Sequence, residues 1–278
     1  MIQDILPHSF DNHYLAGAKI KDNDFLLHFK ENTLLIKTNN ENVDLPRLSD
    51  FRNISDESNI TFLFTLDDVS GFILWDEAET VEKEHFEYRE IGFFRTIPQK
   101  EIGWISVVGL HLRNWYEEHR FCGKCGAETY HKSDERALVC PACNTHFFPK
   151  ISPAIIVAII NKDKILLARN SNFKAGWHSL IAGYVDVGET LEETVVREVK
   201  EEVGLDVKNI RYYKSQPWPL SGSLMIGYIA EADENQPIVI DNKEIVEAAW
   251  FSRDNLPSHP TNASVGGELI EKFMNGEI

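Results

Sequence analysis

Along the first hundred positions, apolar residues fall into short runs: Phe25–Phe29, Thr33–Ile36, Ile60–Leu66 and Gly71–Trp75. Polar links such as Thr38–Asn42 separate them, and runs of this length predict strands. No chemical motif lies in this part, so binding, covering and dimerisation all stay open as its role. Ile105, Val108, Leu112 and Trp115 then recur at three–four spacing, which predicts a helix. The prolines of FPKISP (Phe148–Pro153) punctuate the chain. Beyond them, Ile155–Ile160 reads as a continuous apolar strand, Asn161–Lys164 as a turn and Ile165–Ala168 as the returning strand. Ser179–Ala182 leads into a glycine-flanked loop. Leu191, Val195 and Val199 then repeat every four residues and predict a helix over 189–203 with those side chains inward. Leu224–Ala230 and Val246–Phe251 predict strands, and Glu268–Met274 a terminal helix. Strands on both sides of the 189–203 helix predict a mixed sheet sandwiched by helices. No internal repeat and no low-complexity tract is visible.

The 278 residues, 43% hydrophobic and 26% charged, suit a soluble globular protein with room for two domains or more. The start, MIQDILPHSFDNHY, lacks a basic, apolar leader, no apolar run approaches a membrane span, and FMNGEI is no familiar address signal. The expectation is a cytoplasmic protein that uses no membrane. A net charge of −16 excludes steering of the whole chain towards nucleic acid. From His111 to His178 the balance reverses, with ten basic residues against six acidic. That segment could hold a local phosphate patch.

All four cysteines lie in that segment, as C-x2-C-x14-C-x2-C: Cys122, Cys125, Cys140 and Cys143. Two such knuckles place four thiolates around one tetrahedral Zn²⁺. Four protein ligands leave no open position, so the expected site is structural, one ion per chain. His119, His131 and His146 are surplus to it and read as exposed or hydrogen-bonding residues.

The chemistry concentrates in GYVDVGETLEETVVREVKEEVGL, Gly183 to Leu205. On a helix, Glu198 and Glu202 stand one turn apart on one face and Glu201 lies beside them. Three carboxylates so close call for a positive partner, and hard divalent cations prefer oxygen ligands, which makes Mg²⁺ or Mn²⁺ the natural choice. Such an ion binds diphosphate oxygens and acidifies a bound water. Gly183 and Gly188 permit the sharp turn before the helix, and Arg197 can reach back to Glu189 as an orienting pair. Gly183, Glu189, Arg197, Glu198, Val199, Glu201, Glu202, Gly204 and Leu205 fill every fixed position of G-x5-E-x7-R-E-U-x-E-E-x-G-U, U being a bulky aliphatic residue. The run resembles the signature of the Nudix hydrolases, which cleave a nucleoside diphosphate linked to a further group.

A second motif, SQPWPLSGSLM at 215–225, reads as a stiff loop whose Trp218 ring could stack on a base. This loop, the Nudix run and the preceding four-cysteine segment together resemble the NADH pyrophosphatase family of Nudix hydrolases, in which the loop typically reads SQPWPFPxS. HRFCGKCG at 119–126 and FPKISP at 148–153 are also similar to family segments. The resemblance implies an α/β (α+β) fold: a Nudix αβα sandwich with a mixed sheet over 151–278, preceded by a zinc ribbon over 118–150 and an N-terminal α/β, Nudix-like domain over 1–117. It implies a homodimer that splits the diphosphate of NADH or NAD⁺ into nicotinamide mononucleotide and AMP and removes NAD caps from RNA. Glu198, Glu202 and Glu244 would hold the catalytic metals with the carbonyl of Ala182, and Glu201 would be a further ligand or the base for water. Gln216, Pro217, Trp218, Pro219, Leu220, Ser221, Gly222 and Ser223 would line the nucleotide pocket, with Tyr184, Phe148, Glu135 and Gly266 as neighbours. Leu220 replaces the family's usual Phe, Ser221 its Pro, Phe148 the Tyr of some relatives, and Gly266 a frequent Ala. Two other readings compete: a Nudix hydrolase of ADP-ribose, coenzyme A or diadenosine polyphosphates, and a non-catalytic nucleic-acid-binding protein built on a zinc ribbon.

Overall fold

The computed structural model describes residues 1–39, 42–52, 54, 59–77, 79–81, 85–240 and 242–278. Asn40 and Glu41, within the expected 38–42 link, lie outside the described residues. The chain forms two compact units, one of residues 2–150 with 219–221 and one of residues 151–218 and 222–278 with Met1.

The N-terminal unit holds β1 (Phe10–Asp11), β2 (Phe25–Lys30), β3 (Thr33–Asn39), β4 (Asn42–Asp44), β5 (Phe51–Arg52), β6 (Ile60–Leu66), β7 (Val69–Leu74), β8 (Glu79–Thr80) and β9 (Phe86–Glu90). Helix α1 (Lys100–Glu118) follows. Ile102, Trp104, Ile105, Val107, Leu110, Leu112 and Trp115 are all buried along α1, so a wide apolar face fixes it. The ribbon strands β10 (Tyr130–His131), β11 (Leu138–Val139) and β12 (His146–Phe147) form their own antiparallel sheet. The ribbon and residues 1–117 fall in one compact unit. The physical reason is visible in its hydrogen bonds: Arg136 donates to the carbonyl of Leu63, and Tyr14 Oη donates to that of Lys132 at 3.3 Å.

The C-terminal unit contains β13 (Ser152–Asn161), β14 (Lys164–Asn170), β15 (Ile181–Tyr184), α2 (Leu191–Val203), β16 (Lys208–Trp218), β17 (Ser223–Glu231), β18 (Ile245–Ser252) and α3 (Val265–Met274). Its strand order is β16-β17-β13-β14-β18, with β15 paired to β13. Only β13 and β17 pair in parallel, so the sheet is mixed. The continuous apolar run of β13 follows from burial on both faces. Ile155, Val157 and Ile159 pack with Val195, Val199 and Val203 of α2, while Ile156, Ala158 and Ile160 pack with Val265, Leu269, Ile270 and Phe273 of α3. Each fully buried valine of α2 contributes roughly 1.5–3 kcal/mol. The result is an αβα sandwich.

Strand order and pairing sense recur between the units. In the N-terminal sheet β6-β7-β2-β3-β9 are neighbours in that order, with β7 and β2 alone parallel. Helix α1 follows β9 as α3 follows β18. Among the described residues between β3 and β6 there is no α-helix at the place that α2 takes in the other unit. The chain therefore carries a topological repeat that its side chains do not show.

Two expectations need correction. Helix α2 starts at Leu191 rather than 189, because Thr190 caps it: Glu193 N–H donates to Thr190 Oγ1 (3.2 Å) and Thr190 N–H to Glu193 Oε2 (2.8 Å). Residues 215–218 are the end of a strand, not a loop. Pro217 is tolerated there because β16 is an edge strand, and the turn begins only at Pro219.

Candidate active site

One end of the C-terminal sheet gathers the chemistry. Strand pairing puts Trp218 opposite Ser223, Ser223 opposite Ser152, Ala154 opposite Tyr184, and Asn170 opposite Ile245. Helix α2 packs against β15 and presents Glu198 to Gly183. A Cβ on Gly183 would fall within the Glu198 carboxyl group, so the missing side chain forms the carboxylate's seat.

Arg197 organises the acids. Its Nε and Nη2 donate to the two oxygens of Glu189 at 2.5 and 2.8 Å, a bidentate pair. Nη2 also reaches the carbonyl of Tyr184 (3.0 Å), and Nη1 donates to Glu198 (2.8 Å) and Glu201 (3.2 Å). These hydrogen bonds bring the Glu189 carboxyl down to about 2 and raise the Arg197 guanidinium. Glu198 moves the other way. Burial pushes its carboxyl up, Arg197 opposes this, and the nearby charges of Glu201 and Glu244 push it up further. Glu202 is buried at 9% exposure.

Negative charge is therefore concentrated around a half-buried carboxylate that one arginine does not neutralise. Oxygen donors in that state suit a hard divalent cation. The side chains do not yet converge: among the described residues, only the four cysteines form a group of three or more His, Cys, Asp or Glu side chains whose ligand atoms lie within 4.8 Å of one another. Ala182, paired with Ile156, offers its carbonyl one residue before the Gly183 seat.

The expected pocket residues divide into groups. Tyr184 Oη and Ser223 Oγ lie 3.2 Å apart, with Tyr184 exposed and Ser223 buried. Gln216 is fully buried, and both ends of its amide are used within the chain. Its Oε1 accepts from Val265 N–H (2.7 Å), the first amide of α3, and its Nε2 donates to the carbonyl of Ala263 (3.1 Å). Pro217 is exposed and Trp218 half-buried. Pro219, Leu220 and Ser221 form a 3₁₀ turn counted with the N-terminal unit. Gly222 takes a left-handed φ of 63°, and Gly266 packs so closely on Ile156 that a Cβ would clash with it. Glu135 and Phe148 belong to the other unit, where Glu135 binds Lys132 (2.6 Å) and Phe148 is exposed. Buried His178 escaped the sequence reading. Neither ring nitrogen has a hydrogen bond, and Nε2 lies 3.6 Å from Glu247. A lone histidine within an apolar stretch carries no sequence signal of this.

The second metal centre is compact. Sulfur separations of 3.6 Å (Cys122–Cys143), 3.4 Å (Cys125–Cys140) and 3.6 Å (Cys125–Cys143) come near the roughly 3.8 Å edge of a tetrahedron with Zn–S bonds of about 2.3 Å. All four cysteines are free of disulfides. The Thr145 hydroxyl, 3.1 Å from Cys143 Sγ, helps bring that thiol down to about 6. The surplus histidines stay out: His119 Nδ1 meets the carbonyl of Trp115 (2.8 Å), His131 stacks on Tyr116, and His146 is exposed.

Known proteins share these features. Residues 150–273 match the NUDIX domain, and residues 117–148 match the NADH pyrophosphatase zinc ribbon domain. The chain is 44% identical over 184 residues to the NAD-capped RNA hydrolase NudC of Citrobacter koseri, covering 66% of this chain and 71% of that protein. The same figures hold for NudC of Escherichia coli O1:K1 / APEC. Among solved structures, a NUDIX hydrolase from Nitrosomonas europaea matches at 21% identity and a TM-score of 0.49, over 56% of this chain and 90% of that one. With both domains in this order, and with this identity to NudC, the chain belongs to the NADH pyrophosphatase (NAD-capped RNA hydrolase) family of Nudix hydrolases.

Proposed function

We propose that the chain hydrolyses the diphosphate of NADH and NAD⁺ to nicotinamide mononucleotide and AMP, and removes NAD caps from RNA. The observation that carries this reading is the Glu198 carboxylate seated on Gly183 among Glu201, Glu202 and Glu244, within a chain 44% identical to NudC. Water adds to one phosphorus, the bond from that phosphorus to the bridging oxygen breaks, and the bridging oxygen leaves with the other nucleotide.

Glu198, Glu202, Glu244 and the carbonyl of Ala182 would hold the divalent ions, with Glu201 as a further ligand or as the base for the water. When bound, Mg²⁺ or Mn²⁺ neutralises charge on the phosphoryl oxygens and lowers the pKa of the attacking water. The Arg197–Glu189 pair, with its bond to the Tyr184 carbonyl, fixes the loop between β15 and α2. Trp218 offers a face for a base, and the Tyr184–Ser223 hydroxyl pair offers polar contacts beside it. Gln216 serves this pocket from behind, by holding β16 against α3. The repeated strand order supports reading residues 1–117 as a Nudix-like domain, with no counterpart of α2 among its described residues.

Family membership further supports a cytoplasmic homodimer, which sedimentation of the purified chain would test. No helix among the described residues is long and apolar enough to cross a membrane. Incubating the protein with NADH and either Mg²⁺ or Mn²⁺, and identifying both products by mass, tests the activity. AMP with reduced nicotinamide mononucleotide is expected; an intact dinucleotide, or cleavage elsewhere, contradicts the proposal.

A further inference from the structure

The proposed reaction uses one edge of the C-terminal sheet and its middle. The order β16-β17-β13-β14-β18 places β16 and β18 four neighbours apart, roughly 19 Å at about 4.8 Å per strand. Trp218 ends β16 on one edge, Gly183 and Glu198 lie between, and Glu244 immediately precedes β18 on the other edge. A dinucleotide with one base at Trp218 and its diphosphate over Glu198 directs its second nucleoside towards Glu244. If that nucleoside carries an RNA chain, the chain leaves across this edge.

The loop between β14 and β15 stands there. Ser171 N–H donates to the carbonyl of Glu244 (2.8 Å), Phe173 N–H to that of Asn170 (2.9 Å), and Trp177 N–H to that of Lys174 (3.1 Å). Trp177 also forms a parallel bridge with Ser258. The backbone is thus pinned at both ends, yet Phe173 and Trp177 remain 39% and 37% exposed. Lys174, on the same loop, and Lys243, beside Glu244, are both exposed, and neither ammonium group has a hydrogen bond or ion pair among the described residues. In the same unit Lys164, Lys200, Lys214 and Lys272 are ion-paired, while Lys162 and Lys208 have no ion pair among the described residues. Here two unpaired cations stand beside two exposed rings, on a chain of net charge −16. Single-stranded nucleic acid needs this combination: flat apolar faces for splayed bases and cations for phosphates.

We propose that the Ser171–Trp177 loop, together with Lys243, is the landing site for the first nucleotides of an RNA chain attached to the dinucleotide. This rests on the diphosphatase reading above. The free dinucleotide lacks those nucleotides, so the loop separates capped RNA from NADH.

The test compares kcat/KM on NADH and on a short 5′-NAD-capped RNA. Two double variants are used, Phe173→Ala with Trp177→Ala, and Lys174→Ala with Lys243→Ala. The aromatic pair is expected to lose about ten-fold on the RNA while NADH stays within about two-fold. The lysine pair should lose rate on the RNA alone and flatten its logarithmic salt dependence by about 0.7 per lysine. Only exposed side chains change in the lysine variant, so it keeps the test open if the aromatic variant misfolds. Equal losses on both substrates, no loss on RNA, or a wild type that cleaves NADH but not capped RNA would each overturn the proposal. A wild type that cleaves neither substrate would instead overturn the diphosphatase reading beneath it.

Discussion

Gly183 leaves open the space that the Glu198 carboxyl group fills. Gly183 is not among the residues with left-handed backbone, so glycine is needed here for room rather than for φ. Gly183→Ala should therefore keep the fold and displace the carboxylate. We expect kcat on NADH to fall about 100-fold with an unchanged far-UV spectrum. Near-normal turnover would show that the seat does not position Glu198.

The Glu189–Arg197 pair predicts a pH dependence of stability. The folded carboxyl sits at about 2, below its ordinary 4.5. Its contribution is full above 4.5 and is lost as pH falls through about 2. Thermal melts of wild type and Glu189→Gln should differ most near neutrality and converge towards pH 2. A gap that widens on acidification would reverse the assignment.

The cysteine cluster predicts one zinc per chain and a structural role. Chelation, or Cys140→Ser, should lower Tm and release the ion. Any loss of NADH hydrolysis should track unfolding of the protein. A folded, zinc-free protein with no activity would instead implicate the ribbon in the chemistry.

Gln216 satisfies the first amide of α3 from inside the core. Gln216→Ala leaves that N–H and the Ala263 carbonyl without this partner, at a cost of about 1–3 kcal/mol. Urea unfolding should show a lower midpoint at unchanged slope.

What could be read from the sequence was local. The valines of α2, the continuous run of β13 and the cysteine knuckles each declare themselves within a few residues. Strand β16 did not, because its burial alternates weakly and Pro217 argues against a strand until its edge position is known. The nearness of Glu244 to Glu198 depends on β18 pairing with β14, more than seventy positions apart in sequence. The repeated strand order was hidden for a similar reason: pairing sense is a property of the backbone, and the two units fill it with different side chains. Resemblance places Gln216 in the pocket, and its hydrogen bonds to Val265 and Ala263 add that it braces α3.

The central claim is that the clustered acids of α2 carry the hydrolysis, and AMP release from NADH by Glu202→Gln at saturating Mg²⁺ or Mn²⁺ tests it most directly. The account predicts a loss of at least about 100-fold with the fold intact. Turnover close to wild type would contradict it.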